Sequence, residues 1–93
     1  MTEPGYAIAW AAPARRALAR LPQKVAAAVV EFFYGSLAAN PRRMGTPLRL
    51  ELQGLHSARR GDYRVIYRID DHHRRIEVVA IEHRADIYRP RRQ

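Results

Sequence analysis

Residues 55–69, LHSARRGDYRVIYRI, read as a β-hairpin. Leu55 to Arg60 forms one arm, Gly61-Asp62 the turn, and Tyr63 to Ile69 the other arm. In the second arm Tyr63, Val65, Tyr67 and Ile69 alternate with Arg64, Ile66 and Arg68. Successive side chains of a strand point to opposite faces. One face of this arm is therefore apolar and aromatic, and the other carries arginine.

Elements on either side extend the hairpin. Asp70 to Arg74 is a polar turn, and Ile76 to Ile81 reads as the next strand. Around Val78, Val79 and Ala80 it is apolar on both faces, which suggests an interior place in the sheet. Upstream, Leu48, Leu50 and Leu52 alternate with Arg49 and Glu51 and suggest an extended edge. Pro41 to Pro47 is a basic connector. Further back, Ala14, Ala17, Leu18 and Leu21 fall on one helical stripe that Pro13 opens. Val25, Ala28, Val29 and Phe32 repeat the spacing after Pro22. Gly35 weakens this second helix late in its course, and Asn40-Pro41 ends it. Tyr6 to Trp10 reads as a first strand. The order β-α-α-β-β-β predicts an α+β domain, with two N-terminal helices packed on one face of an antiparallel sheet. The other face should carry Arg64 and Arg68.

At 93 residues the chain is expected to form a single domain over 1–93. A domain of this size buries only about 60–65% of its unfolded surface, so its stability margin should be thin. There is no cysteine, which excludes disulfides, thiolate metal sites and a cysteine nucleophile. No apolar run approaches the ~20 residues that span a bilayer. Residues 1–12 lack a basic segment followed by a long apolar one, so a cytoplasmic protein with no membrane partner is expected.

The net charge is +8. Arginine supplies sixteen of the seventeen basic residues, the exception being Lys24. The planar guanidinium matches phosphate geometry and stacks on bases, which an ammonium cannot do. Residues 1–40 carry four basic and two acidic groups, and residues 41–93 carry thirteen and seven, giving +2 and +6. A polyanionic partner should therefore meet the C-terminal half.

The chain has no P-loop, no GxGxxG and no HExxH. His72-His73 fall on a turn, where adjacent histidines are ordinarily solvated, so no metal and no cofactor are expected. Glu77 and Glu82 are surrounded by arginines and should be ion-paired rather than raised in pKa. The second helix is too apolar to read a DNA groove and is better explained as core packing. Arg59, Arg60 and Arg64 flank the tight turn, and Arg68 continues the strand. His83-Arg84 ends the last strand, and Tyr88-Arg89 follows one helical turn later. A regular meander brings Arg64 close to the His83-Arg84 end. Guanidiniums hold phosphate, tyrosine stacks on an unpaired base, and histidine moves protons near neutral pH. Spacing alone fits an RNA-cleaving site and a solvated RNA-binding face equally well.

Four stretches carry a family resemblance: ARRALARLP over 14–22, PLRLELQGL over 47–55, SARRGDYRVIY over 57–67 and HRADIY over 83–88. With them the chain resembles the RelE/ParE superfamily of bacterial toxins, specifically the RelE-type mRNA interferases of type II toxin–antitoxin pairs. The resemblance implies the same fold and ribosome-dependent, metal-independent cleavage of mRNA in the decoding site of the 70S ribosome. The RNA's own 2′-hydroxyl attacks the adjacent phosphate, leaving a cyclic phosphate and a free 5′-hydroxyl. By the same resemblance Arg64 holds the scissile phosphate and Arg84 stabilises the transition state or leaving group. Tyr88 stacks on a base, and Arg59 lies on the supporting strand. Arg60, Arg68, His56 and Arg89 belong to the expected RNA-binding surface. Family members carry lysines on the strand before the turn, where this chain has His56, Ser57, Arg59 and Arg60. An arginine, ionising above ~12, is a poor base; the resemblance makes His83 the first candidate proton acceptor, since some family members also carry a histidine there, with His56 second. A RelB-like acidic antitoxin, partly disordered and wrapping the helices in a toxin–antitoxin hetero-oligomer, is the implied partner. The ParE-like branch, which inhibits DNA gyrase, and a non-catalytic protein that occludes RNA or ribosomes are the alternatives.

Overall fold

The computed structural model describes residues 5–83. Arg84, Tyr88 and Arg89 lie outside the described residues. The element order is β1 (Ala7–Trp10), α1 (Ala12–Arg20), α2 (Gln23–Phe32), a π-helical turn (Phe33–Leu37), α3 (Pro41–Met44), β2 (Thr46–Pro47), a 3₁₀ turn (Leu50–Leu52), β3 (Leu55–Arg60), β4 (Tyr63–Asp70) and β5 (Arg75–His83). No described helix is long and apolar enough to cross a membrane.

The five strands form one sheet in the order β1-β5-β4-β3-β2. β3 to β5 make the expected antiparallel meander, the stretch read as a connector over 41–47 instead supplies α3 and the edge strand β2, and β1 runs parallel to β5, so the sheet is mixed. Side-chain alternation encodes which face of a strand is buried; it carries no information about strand direction. The extended edge expected at 48–52 is also corrected. β2 and β3 are hairpin partners, so the residues between them must reverse direction. Leu50 takes a left-handed φ of 58° at the start of the 3₁₀ turn and is 85% exposed.

α1 and α2 cover one sheet face as the apolar stripes require. Ala14, Val29, Phe33 and Leu37 from the helical layer meet Val65, Tyr67, Ile76 and Val78 from the sheet, all fully buried. Trp10, Phe33 and Tyr67 pack edge to face, with centroids 5.2 and 6.1 Å apart. Leu21, the residue before Pro22, is extended and ends α1.

β5 contains a bulge. Ile66 faces Ala80 and Tyr67 faces Val78, so Val79 is the extra residue. Below the bulge, Ile76 and Val78 point to the helices. Above it the alternation changes phase, placing Ile81 and His83 on the helix side and Glu82 opposite Arg64.

The far end of the chain's helical layer is tied down by one buried hydroxyl. Tyr67 donates to the Pro41 carbonyl at 2.7 Å. Burial pushes its ionisation up to about 12. Gly45 lies directly against that hydroxyl, where a Cβ would collide with Tyr67 Oη and crowd the Ser57 carbonyl. Nearby, Asp71 receives both Arg42 guanidinium nitrogens (3.0 and 2.7 Å) and the Tyr6 hydroxyl. These contacts join the start of β1, α3 and the β4–β5 turn.

Gly45→Ala should lower unfolding free energy by about 1–3 kcal/mol through overpacking, measured by urea denaturation. Tyr67→Phe should lower it by about 1–2 kcal/mol by orphaning the Pro41 carbonyl. The Arg42 and Tyr6 hydrogen bonds hold the Asp71 carboxyl at about 2. Its folded value is depressed, so its stabilisation is complete above the unfolded carboxylate value near ~3.9 and is lost as pH falls toward 2. Asp71→Asn should accordingly flatten the acid limb of the stability curve in that window.

Candidate RNA-phosphate cleft

The sheet face away from α1 and α2 is edged by a cleft of about 330 Å³, walled by β3, β4 and the α3–β2 segment. Arg59 and Arg64 come from facing positions on β3 and β4. Directly opposed residues on antiparallel strands have Cβ atoms roughly 5 Å apart, and like charges there are destabilising. Arg64 offsets part of this by pairing with Glu82 at 3.0 Å, the partner that the β5 bulge brings opposite it. Arg64 Nε is nevertheless buried without a hydrogen-bond partner. A buried donor without an acceptor is unfavourable unless something else supplies one. An anion in the cleft would relieve the Arg59–Arg64 repulsion.

The other sequence candidates are dispersed. Arg60 points to the helix side, its guanidinium 4.4 Å above the Phe32 ring. Arg68 is on the Arg64 face but four residues further along, about 13 Å at strand rise, and pairs with Glu77 at 3.4 Å. Both glutamates are thus ion-paired as expected. His56 pairs in register with Tyr67 and stacks on its ring, centroids 5.7 Å apart. Burial, then the Arg42 charge, lower its pKa, so this imidazole is neutral packing on the helix side. His83 is opposite Tyr63, also in helix-side register, and its ring lies edge-on to Tyr63 at 4.9 Å. Tyr63 itself lines the cleft, so His83 approaches it only past that ring. A regular meander would have set His83 on the Arg64 face; the Val79 bulge reverses this.

Arg43, on α3, was not singled out by the sequence, yet it lines the cleft beside Arg59 and Arg64. The only trace of it was the basic character of residues 41–47.

Comparison with known proteins gives a consistent picture. The family model described as the ParE toxin of the type II toxin–antitoxin system, parDE, matches residues 8–88. The chain is 58% identical over 84 residues to Toxin RelE of Mycobacterium tuberculosis (strain ATCC 25618 / H37Rv), covering 90% of this chain and 87% of that protein. It is 52% identical over 84 residues to Toxin RelG of the same strain, covering 90% and 97%. Among solved structures it is similar to a chain of the toxin–antitoxin complex RelBE2 from Mycobacterium tuberculosis, with TM-score 0.84, 48% identity and coverage of 91% and 98%. A chain of the archaeal RelE–RelB complex from Pyrococcus horikoshii OT3 follows at TM-score 0.68, 26% identity and coverage of 86% and 96%.

Arg59→Thr removes the repulsion across the β3–β4 pair. It should raise unfolding free energy by about 0.2–1 kcal/mol while weakening binding to single-stranded RNA. Urea denaturation and fluorescence anisotropy read the two effects, and a variant that loses stability would count against the opposed-charge account.

Proposed function

This chain belongs to the RelE/ParE family of type II toxin–antitoxin toxins, and from that membership we propose that, as a RelE-type toxin, it cleaves mRNA in the ribosomal decoding site and arrests translation. The observation that carries this reading is the cleft itself. Arg64 and the facing Arg59 stand together on an arginine-lined wall, with Arg43 opposite them. The named relatives RelE and RelG support the RelE side of the family.

In the proposed reaction the 2′-hydroxyl of one nucleotide attacks the phosphorus of its own 3′-phosphodiester. The P–O5′ bond breaks, leaving a 2′,3′-cyclic phosphate and a 5′-hydroxyl. Arg64 and Arg59 hold the non-bridging oxygens and stabilise the charge that builds on them. Glu82 holds the Arg64 guanidinium in place. The matching HRADIY motif carries over a proton-accepting role for His83, which reaches the 2′-hydroxyl only around the Tyr63 ring, a stabilising role for Arg84 at the leaving oxygen, which takes up a solvent proton to become the 5′-hydroxyl, and a stacking role for Tyr88 on the neighbouring base. No step requires a metal ion or cofactor. The ribosome presents the single-stranded codon, and the +8 charge draws the protein to it.

The partner is a RelB-like antitoxin, as in the RelBE2 and archaeal RelE–RelB complexes. An acidic, partly disordered chain complements this charge and adds stability to a small domain by mass action. The second reading, gyrase inhibition, is favoured by the matching family model, which is described as ParE.

Purified protein added to translating ribosomes should yield mRNA fragments phased to codons and ending in cyclic phosphate. Arg64→Ala should lower the cleavage rate at least ~100-fold, the scale of losing one transition-state charge ligand, and leave the circular dichroism spectrum unchanged. Intact mRNA together with blocked gyrase supercoiling would transfer the chain to the second reading. Intact mRNA with stalled translation would make it an occluding protein.

A further inference from the structure

α3 presents two adjacent arginines to different surroundings. Arg42 is neutralised by Asp71, with two hydrogen bonds at 3.0 and 2.7 Å. Arg43 has no carboxylate partner among the described residues, and it lines the cleft that holds Arg59 and Arg64. Its backbone is anchored. The Arg43 and Met44 amides both donate to the Asn40 carbonyl at 3.2 Å, and the Tyr67 hydroxyl grips Pro41 two residues earlier. Gly45, two residues later, is pressed against Tyr67 and Ser57. A cation placed on so fixed a support loses little backbone entropy when it meets a ligand.

We propose that Arg43 is a third RNA-backbone ligand of this cleft, taking a phosphate next to the one that Arg64 and Arg59 hold. The proposal rests on the RNA reading of the site given above. Cleft geometry favours neighbouring phosphates over one shared group, because Arg43 enters from the α3 wall while Arg59 and Arg64 enter from the sheet. Such a contact fixes the path of the strand and carries no base information. It should therefore act on binding and leave the chemical step alone.

The test uses the full chain and a short single-stranded RNA with 2′-O-methyl groups throughout, which lacks the nucleophile. Affinity is measured from about 50 to 200 mM salt, where each phosphate contact contributes a slope of about −0.7. Arg43→Gln should bind several-fold more weakly at low salt, and the slope of log K against log salt should become shallower by about 0.7. Arg43→Lys should restore the slope. Arg16→Gln, an exposed α1 arginine outside the cleft, should keep it. On ribosomes Arg43→Gln should raise KM and leave kcat within about threefold, because the contact is the same in ground and transition states. A wild-type slope and affinity for Arg43→Gln overturns the proposal, and so does an equal slope change in Arg16→Gln. If the wild type cuts no mRNA while Arg43→Gln alone loses the slope, the nuclease reading falls and the Arg43 contact stands.

Discussion

A fully buried phenol has to hydrogen-bond, and in this molecule that requirement is met in one place. The Tyr67 hydroxyl lies in the middle of the sheet's covered face and finds the Pro41 carbonyl. Meeting that need pulls the short helix α3 down onto the sheet edge, and Gly45 lets it come close enough. The same ring closes the edge-to-face series with Phe33 and Trp10 that joins the helical layer to both halves of the sheet. With the Arg42–Asp71 pair and the β2–β3 pairing, the Tyr67–Pro41 bond fixes where α3 lies and so builds the third wall of the cleft.

The arginines are sorted by where the few carboxylates stand. Asp71 takes Arg42, Glu77 takes Arg68, Glu82 takes one nitrogen of Arg64, and Asp70 lies 3.9 Å from Arg75. These exposed and half-exposed pairs add little to stability. Their effect is to cancel positive charge over much of the β4–β5 surface, while the cleft keeps three arginines, Arg43, Arg59 and Arg64, against one lining carboxylate, Asp62. A net charge spread evenly would attract any polyanion anywhere; this distribution favours one place.

Most of the fold was legible because it depends on local periodicity. The two-residue alternation of β4 correctly assigned Val65 and Tyr67 to the core and Arg64 and Arg68 to the open face. The helical stripes likewise picked out Ala14, Val29 and Phe32. What escaped is non-local. The direction of β1 depends on how the chain returns over the sheet. The bulge at Val79 leaves only a run of apolar residues, which reads as a strand buried on both sides. That single extra residue sent His83 to the helix side and put Glu82 opposite Arg64. It is why the histidine and arginine that seemed neighbours by counting lie across the sheet from each other. Leu48, Leu50 and Leu52 mimicked a strand by alternating, but a hairpin loop had to occupy those positions. Of the candidate cleft, Arg64 and Arg59 were legible as neighbours across the hairpin, which motif and turn marked together. Arg43 escaped because nothing local distinguishes it from Arg42; only the fold separates their surroundings.

The parallel pairing of β1 with β5 also bears on how the molecule comes into being. Ala7 pairs with Arg75 and Trp10 with Val78, so the first strand has no partner until nearly the whole chain exists. Ile76 and Val78, which complete the core under the helices, arrive equally late. A contact closed over so long a loop is entropically expensive and forms slowly. Growing from its N-terminus, the polypeptide remains an unfinished hairpin of helices while it is being synthesised. Neither wall of the arginine cleft contributed by β3 and β4 can be braced by β5 before then. The cleft is therefore completed only after β5 has been made and paired.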